Sequence, residues 1–100
     1  MSLGFDELQL DSKLLQALRK KGFATPTRVQ ATCIPEALSG KDLVAQARTG
    51  TGKTLAYLLP ALHRILAGPH GSVGWQALVL VPTRELCEQV MRFCCILIRP

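Results

Sequence analysis

Residues 47–54 have the spacing of a phosphate-binding loop. They read Ala-Arg-Thr-Gly-Thr-Gly-Lys-Thr, so four residues separate Ala47 from the run Gly52-Lys53-Thr54, and an alanine replaces the glycine that is commonest at the first position. A short apolar run precedes the loop and a helix-forming segment follows it, so the N-terminus of that helix can face an anion. Glycines allow the backbone to turn successive N–H groups toward phosphate oxygens. The segment therefore predicts a site for a nucleoside triphosphate.

The last side chains of the loop carry the expected chemistry. We expect the Lys53 ammonium to lie on the β- and γ-phosphates and the Thr54 hydroxyl to bind the Mg²⁺ ion that bridges them. Lys53 and Thr54 are therefore the candidate catalytic residues. All eight loop residues are candidates for nucleotide binding: Ala47, Arg48, Thr49, Gly50, Thr51, Gly52, Lys53 and Thr54. The alternative is a flexible glycine turn with a chance Gly-Lys-Thr, which the flanking strand and helix patterns disfavour.

A glutamine upstream of the loop suggests which base is bound. The segment 22–30 ends in Gln30, whose side-chain amide both donates and accepts hydrogen bonds. Adenine presents an amino donor beside a ring-nitrogen acceptor, and a glutamine amide can pair with both. Taken alone, the same pattern also fits the start of a helix with an exposed glutamine, so both interpretations stand at this point.

Hydrophobic periodicity places these residues on alternating helices and strands. The expected helices run from Asp11-Ser12 to a stop at Gly22, over residues 27–39, from Lys53 to about Ala67, and onward from Arg84. Prolines stand inside two of them, and Pro35 should bend its helix or start a new turn. Residues 42–47 and 77–81 are short apolar runs, typical of buried parallel strands. The pattern predicts an α/β fold, with a parallel sheet and flanking helices.

Composition limits the class of protein but not the ligand. The chain has 100 residues, 48% hydrophobic and 19% charged, which predicts one globular domain at most. A doubly wound α/β domain usually needs roughly 150 residues or more, so only part of one is expected. The net charge of +5 favours anionic partners. The four cysteines lack zinc-site spacing, and the sequence shows no secretory signal or membrane span, so we expect an intracellular protein with reduced thiols.

Three segments, in this order and at these distances, resemble the DEAD-box RNA helicases. Residues 3–31 resemble their Q motif with its upstream aromatic residue, residues 47–54 resemble motif I, which accounts for the alanine, and residues 82–86 resemble motif Ia. The residues that match the Q motif are Phe5, Gly22, Phe23, Pro26, Thr27 and Gln30. The resemblance spans nearly the whole chain. It implies that residues 1–100 form the N-terminal part of a first RecA-like domain, truncated relative to the family.

The resemblance also implies roles around ATP. Gln30 would read the adenine, and Phe5 or Phe23 would pack at or near the base. Thr25 and Thr27 would stabilise the phosphate loop.

Motif Ia implies contact with RNA. Pro82, Thr83 and Arg84 would face the RNA backbone, where a helix N-terminus and a guanidinium suit phosphate oxygens. In the alternative, Arg84 and Glu85 are ordinary first-turn residues of a surface helix.

Parts of the family pattern do not occur in the sequence. It has no Asp-Glu-Ala-Asp run, whose first two carboxylates would hold Mg²⁺ and position the attacking water, and no Ser-Ala-Thr motif. The second RecA-like domain, which supplies an arginine finger in this family, is not among these residues. Because an arginine finger contributes about 10³–10⁵ to the rate of well-studied triphosphatases, we expect the chain alone to be close to inert.

Three functions stay open from the sequence. The first is an ATP-binding fragment of an ATP-dependent RNA helicase, which unwinds or remodels RNA as the whole protein. The second is a non-catalytic module that binds nucleotide or RNA, and the third is another P-loop NTPase. The first implies ATP and Mg²⁺ as cofactors, RNA as partner, no membrane, and a location in the nucleus, nucleolus or cytoplasm. The oligomeric state is left open.

Overall fold

Helices provide all the regular secondary structure in the part of the chain that the computed structural model describes, residues 4–48, 52–68 and 74–98. The chain begins with a 3-10 helix over Phe5–Leu8. It continues with α1 (Ser12–Lys20), α2 (Arg28–Leu38), α3 (Lys53–Ala67) and α4 (Arg84–Ile98). Within these ranges, none of the helices combines the length and the apolar character that crossing a bilayer needs.

The helix boundaries follow the capping signals in the sequence. The Asp11 side chain accepts a hydrogen bond of 2.9 Å from the Lys13 N–H, which satisfies one free donor at the start of α1. Gly22 follows the end of α1 with φ 82°, a left-handed conformation that favours glycine. Thr27 caps α2 in the same way, through a hydrogen bond from the Gln30 N–H to its side chain. These boundaries confirm the predicted helices.

The prolines do not interrupt their helices. α2 continues through Pro35 and α3 through Pro60, so the new turn considered at Pro35 does not start there. A proline inside a helix costs roughly 3 kcal/mol through a lost hydrogen bond and a clash. Pro60 is buried beside the fully buried Leu59. The apolar contacts of this face of α3 offset part of the cost.

The predicted parallel sheet is not present in the described residues. Residues 42–47 and 77–81, which we expected to be strands, lie outside the helices and pair with no neighbouring strand. Val44 is fully exposed and Leu80 is 84% exposed, where buried strand residues were expected. A strand persists through hydrogen bonds to a neighbour, and the two segments line different cavities instead of pairing with each other.

The core joins all four helices. Leu14 and Leu18 of α1, Ile34 of α2 and Leu59 of α3 are its fully buried side chains. Burial of one such side chain contributes about 1.5–3 kcal/mol. α2 packs on α3 and α1 packs on α4, so the core fixes the start of α3 relative to the segment before α2.

Candidate nucleotide-binding site

The start of α3 has the backbone geometry of an anion site. Gly52 precedes α3 with φ 82° and ψ 28°, a left-handed conformation, and no side chain caps the first turn of this helix within the described residues. The first N–H groups of a helix have no partner inside it. Together with the helix dipole they attract a negatively charged group. This end of α3 can therefore hold a phosphate.

Gln30 ties the start of α2 to the start of α3. Its side chain is 3% exposed, and its Nε2 atom donates a hydrogen bond of 3.0 Å to the Gly52 carbonyl oxygen. Its Oε1 atom accepts a hydrogen bond of 2.9 Å from the Thr27 N–H. A β-carbon added to Gly52 would collide with the Gln30 amide and crowd the Thr27 methyl group. Gln30 does lie at a helix start, where it forms a capping box with Thr27, but the expectation that it is exposed is wrong.

The Gln30 amide keeps hydrogen-bonding capacity for a ligand. An amide side chain offers two N–H donors and two acceptor lone pairs, and the contacts to Gly52 and Thr27 use one of each. The described residues leave one donor and one acceptor without a hydrogen bond. These are the two groups that an adenine edge requires.

A cleft of about 800 Å³ brings eight of the predicted residues together. Its volume lies within the roughly 300–1,000 Å³ of ordinary ligand sites. The segment before α2, the start of α2, Gly52 and the beginning of α3 line it, together with residues 78–82 and α4. The predicted residues that line it are Phe23, Thr25, Thr27, Gln30, Gly52, Lys53, Thr54 and Pro82.

Lys53 and Thr54 present the polar groups of the cleft. Lys53 is exposed and forms no ion pair with another described residue, and Thr54 is partly buried. An ammonium beside a helix N-terminus can donate hydrogen bonds to a polyphosphate. The hydroxyl oxygen can ligate a hard cation such as Mg²⁺. The described residues contain no group of carboxylates, imidazoles and thiols that would bind a metal by itself.

The earlier residues of the phosphate loop do not line the cleft within the described part of the chain. Thr49, Gly50 and Thr51 lie outside the described residues. Ala47 lines a different cavity of about 560 Å³, next to α2, and Arg48 is exposed. The structure therefore brings the last residues of the loop to the cleft, but not Ala47.

The two candidate aromatic residues occupy different places. Phe23 lines the cleft and contacts Phe93 of α4, with ring centroids 6.5 Å apart and planes tilted by 43°. Phe5 is 3% exposed in the core and does not line the cleft. Only Phe23 is placed to meet a ligand there.

Sequence reasoning missed the part of the cleft that α4 supplies. Gln89 and Phe93 line it together with Leu86, and none of them was a candidate. Their spacing of three and four residues along a helix was the available signal, because such residues share one face. Tyr57, one turn into α3, also lines the cleft.

The residues predicted to contact RNA lie at the start of α4. The Thr83 hydroxyl accepts a hydrogen bond of 3.1 Å from the Leu86 N–H and so caps the helix. Arg84 is the first residue of α4 and is exposed, and Pro82 lines the cleft. This end of α4 presents a helix N-terminus beside a guanidinium, and contact with RNA stays a prediction.

Comparison with known sequences decides the family. The DEAD/DEAH box helicase profile matches residues 27–98. The chain belongs to the DEAD/DEAH box helicase family. The match covers the start of α2, the phosphate loop and the start of α4, and the start of α2, the last three residues of the loop and α4 line the cleft.

Over the aligned segment, members of the family are identical to this chain at about half of the positions. It is 53% identical over 89 residues to DEAD-box ATP-dependent RNA helicase 16 of Arabidopsis thaliana, covering 86% of this chain and 14% of that protein. It is 55% identical over 87 residues to the ATP-dependent RNA helicase SrmB of Escherichia coli, covering 86% of this chain and 20% of that one. The chain thus spans a fifth or less of the length of these helicases.

Solved structures of DEAD-box proteins share the fold of this chain. The RNA helicase Prp28 from Chaetomium thermophilum, solved bound to ADP, matches 96% of this chain with a TM-score of 0.86 and 37% identity, over 24% of its own chain. A DEAD box protein from Methanococcus jannaschii matches 97% with a TM-score of 0.84. The arrangement of helices described above is therefore that of a DEAD-box domain.

Proposed function

We propose that this chain is the ATP-binding portion of an ATP-dependent RNA helicase. The observation that carries the proposal is the hydrogen bond between Gln30 Nε2 and the Gly52 carbonyl. It joins a group able to read adenine to the helix N-terminus able to hold phosphates. The names of the related helicases and the ADP bound to Prp28 support the same ligand class.

Each end of the nucleotide has its own residues in this proposal. The remaining donor and acceptor of Gln30 pair with the adenine edge, and Phe23 packs against the base. Lys53 binds the phosphates by charge-assisted hydrogen bonds, while Thr54 contributes a hydroxyl oxygen to Mg²⁺. When bound, Mg²⁺ neutralises charge on the phosphates. Thr25 and Thr27 stabilise the phosphate loop in this proposal.

The parallel sheet belongs to the proposal as well. We propose that residues 42–47 and 77–81 are strands of a RecA-like sheet in the whole helicase. Their apolar composition and their exposure in this chain support it, because such segments lose unfavourable contact with water when neighbouring strands cover them. Isolated strands without neighbours are not stable in water.

Contact with RNA is proposed at the start of α4. Arg84 and the N-terminus of α4 offer positive charge to the phosphates of an RNA strand. Pro82, two residues before Arg84, lines the cleft. We propose RNA unwinding for the whole helicase. We also propose that this helicase is located inside the cell. For the chain alone we expect no RNA-stimulated phosphate release, because it has no Asp-Glu-Ala-Asp run.

Nucleotide titration tests the proposal. We expect the chain to bind ATP more tightly than GTP by calorimetry, and Gln30→Ala to remove the difference. Lys53→Ala should weaken binding of both nucleotides by roughly tenfold to a hundredfold, since hydrogen bonds to charged groups contribute about 1.5–3 kcal/mol. Lys41→Ala is the matched control, because Lys41 pairs with Glu36 away from the cleft. Equal affinity for ATP and GTP in the unmodified chain would overturn the adenine assignment.

A phosphate-release assay separates an inactive chain from an active enzyme. We expect no release above background with RNA present. Release that Lys53→Ala abolishes would show that the chain hydrolyses ATP by itself, and the expectation of inactivity would then be wrong.

A further inference from the structure

A groove separates α1 from the C-terminal end of α4, on residues that do not line the nucleotide cleft. Its volume is about 460 Å³, within the roughly 300–1,000 Å³ of ligand sites. Lys13, Lys20 and Lys21 form one side, and Leu66 of α3 lies in it with Ile96 and Ile98 of α4. We call these six residues the lysine groove.

The charge of the lysine groove has no counterpart in the described part of the chain. The two ion pairs there join Arg19 to Asp6 and Lys41 to Glu36, and neither involves a lysine of the groove. None of the described residues that line the groove is acidic. Three like charges on one side of a groove attract a partner that brings carboxylates or phosphates.

The apolar side of the groove distinguishes between these partners. Ile96 and Ile98 are 37% and 49% exposed, and the groove lining contains no aromatic side chain within the described ranges. Single-stranded nucleic acids bind through aromatic side chains on which their bases stack. Aliphatic side chains instead accept the aliphatic or aromatic side chains of a peptide, which leave water when they bind.

We propose that the lysine groove binds an acidic segment of a partner protein. Its carboxylates pair with Lys13, Lys20 and Lys21, and its apolar side chains lie on Ile96 and Ile98. The lysines lie on α1 and directly after it, and the exposed isoleucines lie at the end of α4, so charge and aliphatic surface line the same groove from different helices. An occupant must therefore carry acidic and apolar residues side by side.

The experiment uses the full 100-residue chain and synthetic peptides of twelve residues. One peptide carries Glu and Leu residues in alternation, a second replaces every Glu by Gln, and a third replaces every Leu by Ser. Fluorescence anisotropy measures the binding of each peptide. We expect binding of the Glu-Leu peptide to weaken as salt is raised, because salt screens exposed charges. Binding of the other two should be at least roughly tenfold weaker, as expected when one of two contributing contacts is lost.

Charge reversal in the groove locates the site. Lys13→Glu places an acid in the first turn of α1, where the helix dipole favours it, so weaker binding would not reflect a weaker helix. Combined with Lys20→Gln, which places no acid in the last turn of α1, it should lower affinity for the Glu-Leu peptide about tenfold or more, because attraction becomes repulsion at position 13 and is lost at position 20. Arg92→Glu is the matched control, since Arg92 is exposed on α4 and lines a different surface. Circular dichroism checks that each variant keeps its helices.

Several outcomes would overturn the proposal. The first is a Glu-Leu peptide that does not bind at all. The second is binding that Arg92→Glu weakens as much as the groove variant does, which would indicate general charge attraction. A third is a Ser-substituted peptide that binds equally well. The fourth is a twelve-nucleotide single-stranded RNA that binds more tightly than the peptide and loses affinity in the groove variant, which would assign the groove to nucleic acid.

Discussion

Gln30 and Gly52 lie so close together that the glutamine amide donates a hydrogen bond of 3.0 Å to the glycine carbonyl and leaves no room for a β-carbon. Gly22 has the same φ of 82° but nothing within 4 Å of the place where a β-carbon would be. A substitution at Gly22 therefore introduces backbone strain alone, whereas one at Gly52 introduces backbone strain and a steric collision.

Alanine substitutions at these glycines should differ in effect. Gly22→Ala should lower the free energy of unfolding by about 1–2 kcal/mol, the cost of a left-handed conformation in a residue other than glycine. Gly52→Ala should exceed that loss by about 1 kcal/mol or more, because the new methyl group displaces Gln30. Urea unfolding followed by circular dichroism measures both. Equal losses would show that Gln30 moves aside without cost.

His63 connects α3 to the beginning of α1. Its Nδ1 atom accepts a hydrogen bond of 3.0 Å from the backbone N–H of Asp11, in a partly buried position. His63→Ala removes the acceptor, and we expect a loss of about 1 kcal/mol in the free energy of unfolding. Arg64→Ala, at the next and exposed position, should stay within about 0.5 kcal/mol. A loss in the control as large as in the test variant would attribute the effect to α3 in general.

Leucines at two depths test whether this chain contains a sheet. Leu59 is fully buried and Leu80 is 84% exposed. Leu59→Ala should cost about 2–5 kcal/mol, whereas Leu80→Ala should cost less than about 0.5 kcal/mol. The same unfolding experiment applies. A large loss from Leu80→Ala would mean that residues 77–81 form a buried strand in solution.

The cysteines of α4 should differ in reactivity. Burial raises the pKa of the Cys94 thiol, and its neighbour Cys95 raises it further. Because the thiolate is the reactive form, Cys94 should react with iodoacetamide more slowly than the exposed Cys87 near neutral pH. Its rate should rise over a pH range above the ordinary one for a cysteine thiol, because the pKa of Cys94 is raised. Mass spectrometry of digested samples measures both rates, with urea-unfolded chain as the control in which the difference disappears.

Local signals were sufficient to predict the helices. Asp11, Thr27 and Gly22 act through neighbours a few residues away, and the predicted ends of α1 and α2 agree with the structure to within about two residues. Strands depend on distant partners. The apolar composition of residues 42–47 and 77–81 favours a strand but does not state whether a neighbour is present.

The site was partly predictable for the same reason. The spacing of residues 47–54 was enough to predict that Gly52, Lys53 and Thr54 lie at one site, because these three residues are consecutive in the chain. The burial of Gln30 and the separation of Phe5 from the cleft depend on how α2 packs on α3 and on the core. No local pattern contains that information.

The backbone N–H of Thr27 donates a hydrogen bond of 2.9 Å to Gln30 Oε1. The resonance of the Thr27 amide proton therefore reports on the position of the Gln30 side chain. If Gln30 turned toward a base, the Thr27 proton would lose its acceptor and its resonance would shift. An adenine that uses only the free positions of Gln30 would leave it nearly unchanged. A single peak in an amide NMR spectrum thus distinguishes a nucleotide that rearranges the glutamine from one that finds it already in place.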